Sequence, residues 1–231
     1  NLSAAELAYI EAGRMPPVAG GKRIKWLDVL SYRQAWGLIL GRFLLDPFWF
    51  LITNWFPIYL MSKGFDMKAS VLGASAPFLG AILGNLFAGT LSSWLVALGW
   101  TPGRSRRTIL MIFGPSMCVL LLSWYTNNYA LLLAIAAYAM FAYNCCGTMF
   151  LTLPTDVFHT QAVGTIMGLA GTSAGIATMI TTFCIGYVAD RFGFFYVIHV
   201  ASIVPTIATI VFVTMVRAGK EDDPKGVLQR F

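Results

Sequence analysis

Two residues of opposite charge lie inside an apolar stretch, and their types and spacing suit ion-coupled chemistry. Asp46 follows Arg42 by four residues in the run GLILGRFLLDPFW. That spacing places both side chains on one face of a helix. A carboxylate near mid-membrane costs about 2.5–3.5 kcal/mol, and such residues often mark the path of an ion or substrate. Two interpretations stay open: a self-neutralising pair that locks the helix, or a coupling or gating pair that breaks and re-forms.

A second set of polar side chains has the composition of a surface that binds hydroxyl groups. Asn144, Thr148 and Thr152 recur at every fourth residue and would form one stripe on a helix. Asn54 lies just before Pro57, which removes a backbone donor. Such groups are costly in lipid, so they should face the bundle, bonding neighbouring helices or contacting a polyol or sugar acid. Aromatic rings that could stack on the ligand, or form an interfacial belt, are Trp49, Trp55, Tyr59 and Tyr143.

A third pattern has the spacing of a nucleophilic serine. Gly171–Gly175 match GxSxG around Ser173, and His199 lies on the following apolar stretch. A serine nucleophile needs a base within hydrogen-bond reach and an oxyanion hole. This serine stands among glycines typical of helix packing, and His199 lies near the far end of its own helix. The pattern favours packing, and an intramembrane serine protease is kept as an alternative.

A cluster of arginines precedes the third apolar stretch. Arg104, Arg106 and Arg107 form a basic turn, and Asp156 lies in what we expect to be the neighbouring loop. The arginines could serve membrane orientation alone. They could also act as a gate by pairing with Asp156 in one conformational state.

The composition requires a lipid environment. The 231 residues are 58% hydrophobic and 11% charged, whereas soluble domains carry about 25% charged residues. The chain has four cysteines. All lie in apolar runs without CxxC spacing, so we expect no disulfide framework, metal or other cofactor. The cysteines are Cys118, Cys145, Cys146 and Cys184.

The sequence predicts an all-α membrane protein with six transmembrane helices, because six apolar stretches reach the roughly 20 residues that a span needs. A polar lead-in over 1–33 and a charged tail over 218–231 flank the membrane domain at 34–217. The six stretches are 34–61, 69–99, 107–126, 129–152, 163–189 and 194–217.

The placement of positive charge predicts the orientation. Twelve of the 16 Lys and Arg residues fall on the side that would hold both termini, and Lys63, Lys68 and Arg191 fall on the other. Cytoplasmic loops carry the excess of positive charge. We therefore expect both ends of the chain in the cytoplasm, in a multi-pass protein of the cell (inner) membrane. A nucleic-acid partner is not expected.

Small residues recur at GxxxG spacing on the second and fifth stretches. Such spacing allows close approach of another backbone, either within this six-helix unit or on a partner. The two stretches also share a terminal pattern, which predicts three helices repeated twice. The GxxxG pairs are Gly80–Gly84, Gly164–Gly168 and Gly171–Gly175.

Several motifs, in order along nearly the whole chain, resemble one family: the second half of major facilitator superfamily transporters. The resemblance is to the anion–cation symporter branch that carries sugar acids such as hexuronate and galactonate. The motifs are LSAAELAYIEAG (2–13), YRQAWGLILGRFLLDPFW (32–49), WFPIYL (55–60), GWTPGRSRRT (99–108), LPTDVF (153–158), VGTIMGLAG (163–171) and GYVADRFG (186–193).

The resemblance implies twelve helices in two halves, with residues 1–33 as the central cytoplasmic loop and an amino-terminal six-helix half as partner. It implies proton symport of a small organic anion by alternating access, with the substrate between the halves and lipid around them. It also places Asn54 and Asn144 towards the central cavity. A membrane solute sensor on the same fold is the main alternative function.

Two departures from the family pattern concern the substrate. Hexuronate-type members tend to have His-Gln followed by Trp on the fourth helix of this half, where this chain has the run 143–146, YNCC. The family often has Asp where this chain has Ser93. The first departure lies on the expected substrate wall, so we expect a different or broader substrate.

Overall fold

The structure is a computed structural model that describes residues 29–65, 71–158 and 160–216. The tail at 218–231, the first 28 residues of the predicted linker and the motif at 2–13 lie outside these ranges. The described residues form helices and turns, without a β-strand.

Six helices in the described part of the chain, each long and apolar enough to cross a membrane, confirm the predicted fold class. Positive backbone φ angles at Gly99 and Gly193 allow the tight turns before the third and the sixth of these helices. The helices are α1 (Arg33–Ser62), α2 (Val71–Ala97), α3 (Pro102–Tyr125), α4 (Tyr129–Val157), α5 (Thr160–Phe192) and α6 (Phe194–Met215).

Helices α3, α4 and α5 extend further than the hydropathy pattern predicted. Helix α3 begins at Pro102, whose ring suits the first helical turn, so the arginines assigned to a turn belong to the helix. Helix α4 continues to Val157, so Asp156 is also helical rather than in a loop. Hydropathy marks the edge of the hydrocarbon layer, whereas a helix continues into the polar region beyond it.

Helix α1 is irregular at its centre. An α-helical segment ends at Leu45, and Pro47 opens the next short segment, Pro47–Phe50. Residues Leu51–Trp55 then adopt π-helical geometry before the last α-helical segment, Phe56–Ser62. Pro57 has no N–H to donate to the preceding turn, and π-turns are frequent at functional sites.

The GxxxG pair of α2 packs against α4 inside the six-helix unit. A Cβ atom at Gly80 would overlap the backbone carbonyl of Ala137, and one at Gly84 would overlap that of Phe141. The two backbones therefore touch along one full helical turn. In contrast, a Cβ atom at Gly168 would meet nothing within 4 Å in the described part of the chain, as is true at the other three glycines of the α5 pattern.

Long-range hydrogen bonds tie α1 to the last helices of the chain. The Arg33 guanidinium donates to the Thr214 carbonyl of α6 at 3.3 Å. The Ser173 hydroxyl of α5 donates to the Ile39 carbonyl at 3.1 Å. Helix α1 thus packs against α4, α5 and α6.

Lys63 caps the end of α3. Its ammonium donates to the carbonyls of Ser123 at 2.8 Å, Trp124 at 3.2 Å and Thr126 at 2.6 Å. These carbonyls lack partners within their own helix, and a cation is favourable at a helix C-terminus. The contact joins α1 to α3 at one end of the bundle.

Replacing Lys63 with methionine should therefore lower stability by about 1–2 kcal/mol, the scale of a partly buried helix-terminal cation and its hydrogen bonds. Thermal melting in detergent would measure the loss, with Lys63→Arg as the charge-retaining control that should lose less. Equal melting temperatures for the wild type and Lys63→Met would contradict the capping role.

Candidate functional site

Asp46 lies at the centre of a polar cluster between α1 and α4. Its Oδ2 atom accepts from the Arg42 Nε at 3.1 Å and from the Nη2 at 2.6 Å. Its Oδ1 atom accepts from the Tyr143 hydroxyl at 3.3 Å. The Arg42 and Asp46 side chains are 21% and 16% exposed. Both carboxylate oxygens are thus engaged, one by its own helix and one by the facing helix.

An aromatic wall surrounds this cluster. The Tyr143 ring stacks on Phe48, with centroids 6.0 Å apart and planes at 15°. It also lies 5.7 Å from the Trp49 ring, whose edge contacts Phe78 of α2 at 6.4 Å. Offset stacking and edge contacts are the arrangements that aromatic rings favour. Two rings of α1 therefore hold the tyrosine beside Asp46, and Phe78 of α2 supports one of them.

The polar side chains of the predicted α4 stripe partly form hydrogen bonds with backbone carbonyls of α4 itself. The Asn144 amide donates to the Met140 carbonyl at 2.8 Å, and its side chain is buried. The Thr148 hydroxyl contacts the Asn144 carbonyl at 2.9 Å and the Asn85 Oδ1 of α2 at 2.8 Å. Thr152 bonds the Thr148 carbonyl. The stripe exists, and one member connects α4 with α2.

Asn85 was not identified from the sequence. Its position in the sequence offers one indication, because this polar amide follows Gly84 within an apolar stretch. Its side chain is exposed in the structure and engages Thr148. This places a second amide beside the α4 stripe.

Asn54 and Tyr59 lie apart from the Asp46 cluster. Asn54 is exposed and belongs to the π-helical turn of α1. Tyr59 is 1% exposed and donates to the Ser123 carbonyl at 2.7 Å, so its hydroxyl joins α1 to α3. Trp55 packs near Gly186 of α5, where an added Cβ would lie 3.2 Å from its ring.

A second ion pair joins α3 to α4. Arg106 pairs with Asp156 and also donates to the Thr152 carbonyl at 2.6 Å. The other two arginines of the cluster have different partners. Arg104 lies over the Trp100 ring at 4.6 Å, and Arg107 donates to the Val213 carbonyl of α6 at 3.0 Å. The contact with Asp156 that the sequence suggested is thus made by the middle arginine alone.

Ser173 and His199 have separate surroundings. The Ser173 hydroxyl donates to the carbonyls of Ile39 at 3.1 Å and Ala170 at 2.8 Å. The His199 ring is tilted by 37° against the Phe195 ring, with centroids 4.0 Å apart, and its Nδ1 atom lies 2.7 Å from the Phe195 carbonyl. The serine therefore contributes to helix packing. Within the described residues there is also no group of His, Cys, Asp and Glu that could hold a metal.

Comparison with known proteins agrees with this architecture. The sequence profile of the Major Facilitator Superfamily matches residues 5–182, which is most of the chain. The chain belongs to the Major Facilitator Superfamily. The family resemblance and the six-helix fold predicted from the sequence are thereby confirmed.

Several relatives are named as transporters of sugar acids. This facilitator chain is 28% identical over 229 residues to the hexuronate transporter of Escherichia coli K12, covering 94% of this chain and 51% of the relative. It is 27% identical to a D-galactonate transporter of E. coli O6:H1, covering 94% and 52%. It is 25% identical to a probable galactarate/D-glucarate transporter of Bacillus subtilis, covering 84% and 45%. The chain thus spans about half the length of these relatives, all named as transporters rather than enzymes.

Proposed function

We propose that this facilitator chain is the carboxy-terminal half of a transporter that moves a small sugar acid together with a proton by alternating access. The observation that carries the proposal is Asp46, whose two oxygens hold Arg42 and Tyr143 beside an aromatic wall. Relatives named for hexuronate and galactonate support a sugar acid as the cargo.

The proposed coupling step rests on charge balance. With Asp46 ionised, its negative charge cancels that of Arg42 and no net charge is buried. Protonation of Asp46 leaves Arg42 without a counter-charge, which is costly inside a membrane. The carboxylate of a sugar acid can then take the place of Asp46 on the guanidinium, in the bidentate geometry that arginine favours. Both the empty and the loaded state are neutral, whereas a proton alone or an anion alone would leave a buried charge.

The remaining site residues suit the rest of a sugar acid. The Trp49 and Tyr143 rings offer faces for the C–H side of the molecule. Asn144 uses one N–H on its own helix, which leaves its carbonyl oxygen and second N–H for hydroxyl groups. Thr148, Asn54 and Tyr59 were also assigned to the substrate wall. Thr148, with its partner Asn85, completes the proposed substrate wall, whereas Asn54 and Tyr59 lie apart from Asp46.

An amino-terminal six-helix half is the proposed partner. The glycine face of α5 is open, since no atom of the described residues lies within 4 Å of Cβ positions at Gly168, Gly171 and Gly175. Small residues allow the close helix contacts that stabilise membrane proteins. We place the assembly in the cytoplasmic (inner) membrane with both ends of this segment inside, because most basic residues lie on that side.

The arginine cluster of α3 is the proposed gate of that cytoplasmic side. Arg106 and Asp156 join α3 to α4 in the present conformation. Arg104 and Arg107 instead contact Trp100 and the Val213 carbonyl. They are available to exchange partners when the helices move.

Uptake measurements on the complete transporter in vesicles test the function. An inward proton gradient should drive accumulation of a hexuronate, an aldonate or an aldarate. It should not drive accumulation of a neutral sugar. Asp46→Asn should abolish accumulation but retain exchange of labelled for unlabelled substrate, because a neutral side chain mimics the protonated state. Arg42→Gln should weaken binding by roughly 10- to 100-fold, which corresponds to a charge-assisted hydrogen bond of about 1.5–3 kcal/mol.

Other results would redirect the proposal. Binding without flux would identify a solute sensor on the same fold. Proton-driven accumulation by Asp46→Asn equal to that of the wild type would remove Asp46 from coupling. A lack of uptake for every sugar acid tested would overturn the cargo.

A further inference from the structure

An apolar groove lies where α1 faces α5 and α6. It has a volume of about 330 Å³ and runs between α1, α5 and α6, within the range of roughly 300–1,000 Å³ found for small-molecule sites. Its floor includes Pro47, Phe48 and Leu51 of α1. Among the side chains that line it, polar atoms come only from Thr181, Tyr196 and the Cys184 thiol.

The groove opens onto the apolar outer face of α6. Cys184 and Val200 stand at the opening and are exposed. The exposed face of α6 continues from Val200 with Ile203 and Ile207. Water would find few hydrogen-bond partners in such a space, and an empty groove would forfeit contact energy along its walls. The chemistry of the walls therefore favours a hydrocarbon occupant.

The dimensions match one leaflet of a bilayer. Along α6 the groove extends from Tyr196 to Pro205, which is about 14 Å at the helical rise of 1.5 Å per residue. Half of the hydrocarbon thickness of a bilayer is about 15 Å. The groove thus has the length of a single acyl chain lying along the helices.

The Tyr196 end of the groove also carries a cation. Arg191 is in the last turn of α5, with its guanidinium 4.7 Å from the centre of the Tyr187 ring. It forms no ion pair with another described residue, although Asp190 is exposed beside it. Arginine and tyrosine at the end of a membrane helix suit the phosphate of a lipid headgroup.

We propose that this groove binds one acyl chain of a membrane phospholipid, with its phosphate beside Arg191. The occupant would also support the transport site, because Phe48 lines the groove and stacks on Tyr143. The lipid would thus hold the Pro47–Phe48 segment in position behind Asp46.

A phospholipid with a photoreactive diazirine in its acyl chain tests the site on the protein as its cells produce it, reconstituted in vesicles. Labelled peptides should be enriched around Cys184 and Val200 relative to the exposed stretch at Ile207. An excess of unlabelled phospholipid should reduce this labelling in a saturable way. Ala201→Trp fills the groove and should lower the labelling several-fold, whereas the matched variant Ile207→Trp, on the same helix but outside the groove, should not.

The proposal is overturned if labelling follows lipid exposure evenly over the surface, or if it persists in a folded Ala201→Trp protein. Should that variant fail to fold, the competition experiment on the wild type decides, since contacts with bulk lipid do not saturate. Loss of labelling by Arg191→Gln would assign the phosphate position, and unchanged labelling would remove it. None of these measurements uses transport, so the outcome is independent of the cargo.

Discussion

Asp46→Leu is expected to remove most of the folded protein. The change leaves the Arg42 guanidinium without its carboxylate at a position that is only 21% exposed. Removing one member of a buried ion pair costs about 3–5 kcal/mol, because the other charge is left uncompensated. Arg42→Leu should have a similar effect by isolating Asp46. The folded fraction after detergent extraction, followed by size-exclusion chromatography and thermal melting, measures both.

The double variant Arg42→Leu/Asp46→Leu separates structure from function. Replacing a whole pair with apolar residues is often neutral for stability, so the folded fraction should recover. Transport should not recover, because the proposed proton and anion positions are gone. Tyr143→Phe is the mild control and should lose about 1 kcal/mol, the value of one hydrogen bond. Normal proton-driven uptake by the double variant would show that the pair only locks α1.

The second large effect is expected at the contact of α2 with α4. In Gly80→Ala/Gly84→Ala, two methyl groups would meet the backbone carbonyls of Ala137 and Phe141, which cannot rotate away. The helices must separate, and overpacking of this kind costs about 1–3 kcal/mol per site. The separation would also stretch the hydrogen bond between Thr148 and Asn85, so substrate affinity should fall along with stability.

Gly89→Ala is the matched control, since Gly89 lies on the same helix and its Cβ position has no neighbour within 4 Å among residues 29–65, 71–158 and 160–216. Alanine is the better helix former by about 1 kcal/mol, so this variant should be as stable as the wild type or more stable. Thermal melting of the three proteins in one detergent makes the comparison. If the double variant had the same melting temperature as Gly89→Ala, the contact between α2 and α4 would not be needed for stability.

The spans and the Arg42–Asp46 pair were predictable because both follow from local rules. About 20 apolar residues predict a span, and a separation of four residues predicts a contact on one helix face. The Tyr143 contact with Asp46 joins residues 97 positions apart, a separation at which no periodicity applies. The sequence assigns Asp46 to a charged pair and Tyr143 to the aromatic rings around the ligand, without connecting the two residues.

Other features depend on backbone geometry that the sequence does not display. The π-turn at Leu51–Trp55 rotates the helix faces beyond it, so helical spacing counted from Asp46 does not give the direction of Tyr59. The choice of Arg106 over its neighbours as the partner of Asp156 depends on where α3 begins. The α2 glycines could be identified from spacing, but whether they face this unit or a partner required the positions of Ala137 and Phe141.

The long-range contacts of α1 also determine when this helix can complete its packing during synthesis. A chain that enters the membrane from its amino-terminal end inserts α1 first, while the residues that complete its contacts are still to be synthesised. Asp46 can contact Tyr143 only after α4 has been synthesised. The Ile39 carbonyl meets its partner Ser173 134 residues later, and Arg33 meets Thr214 181 residues later. The helix of lowest hydropathy in the unit is therefore the first to be made and the last to complete its contacts.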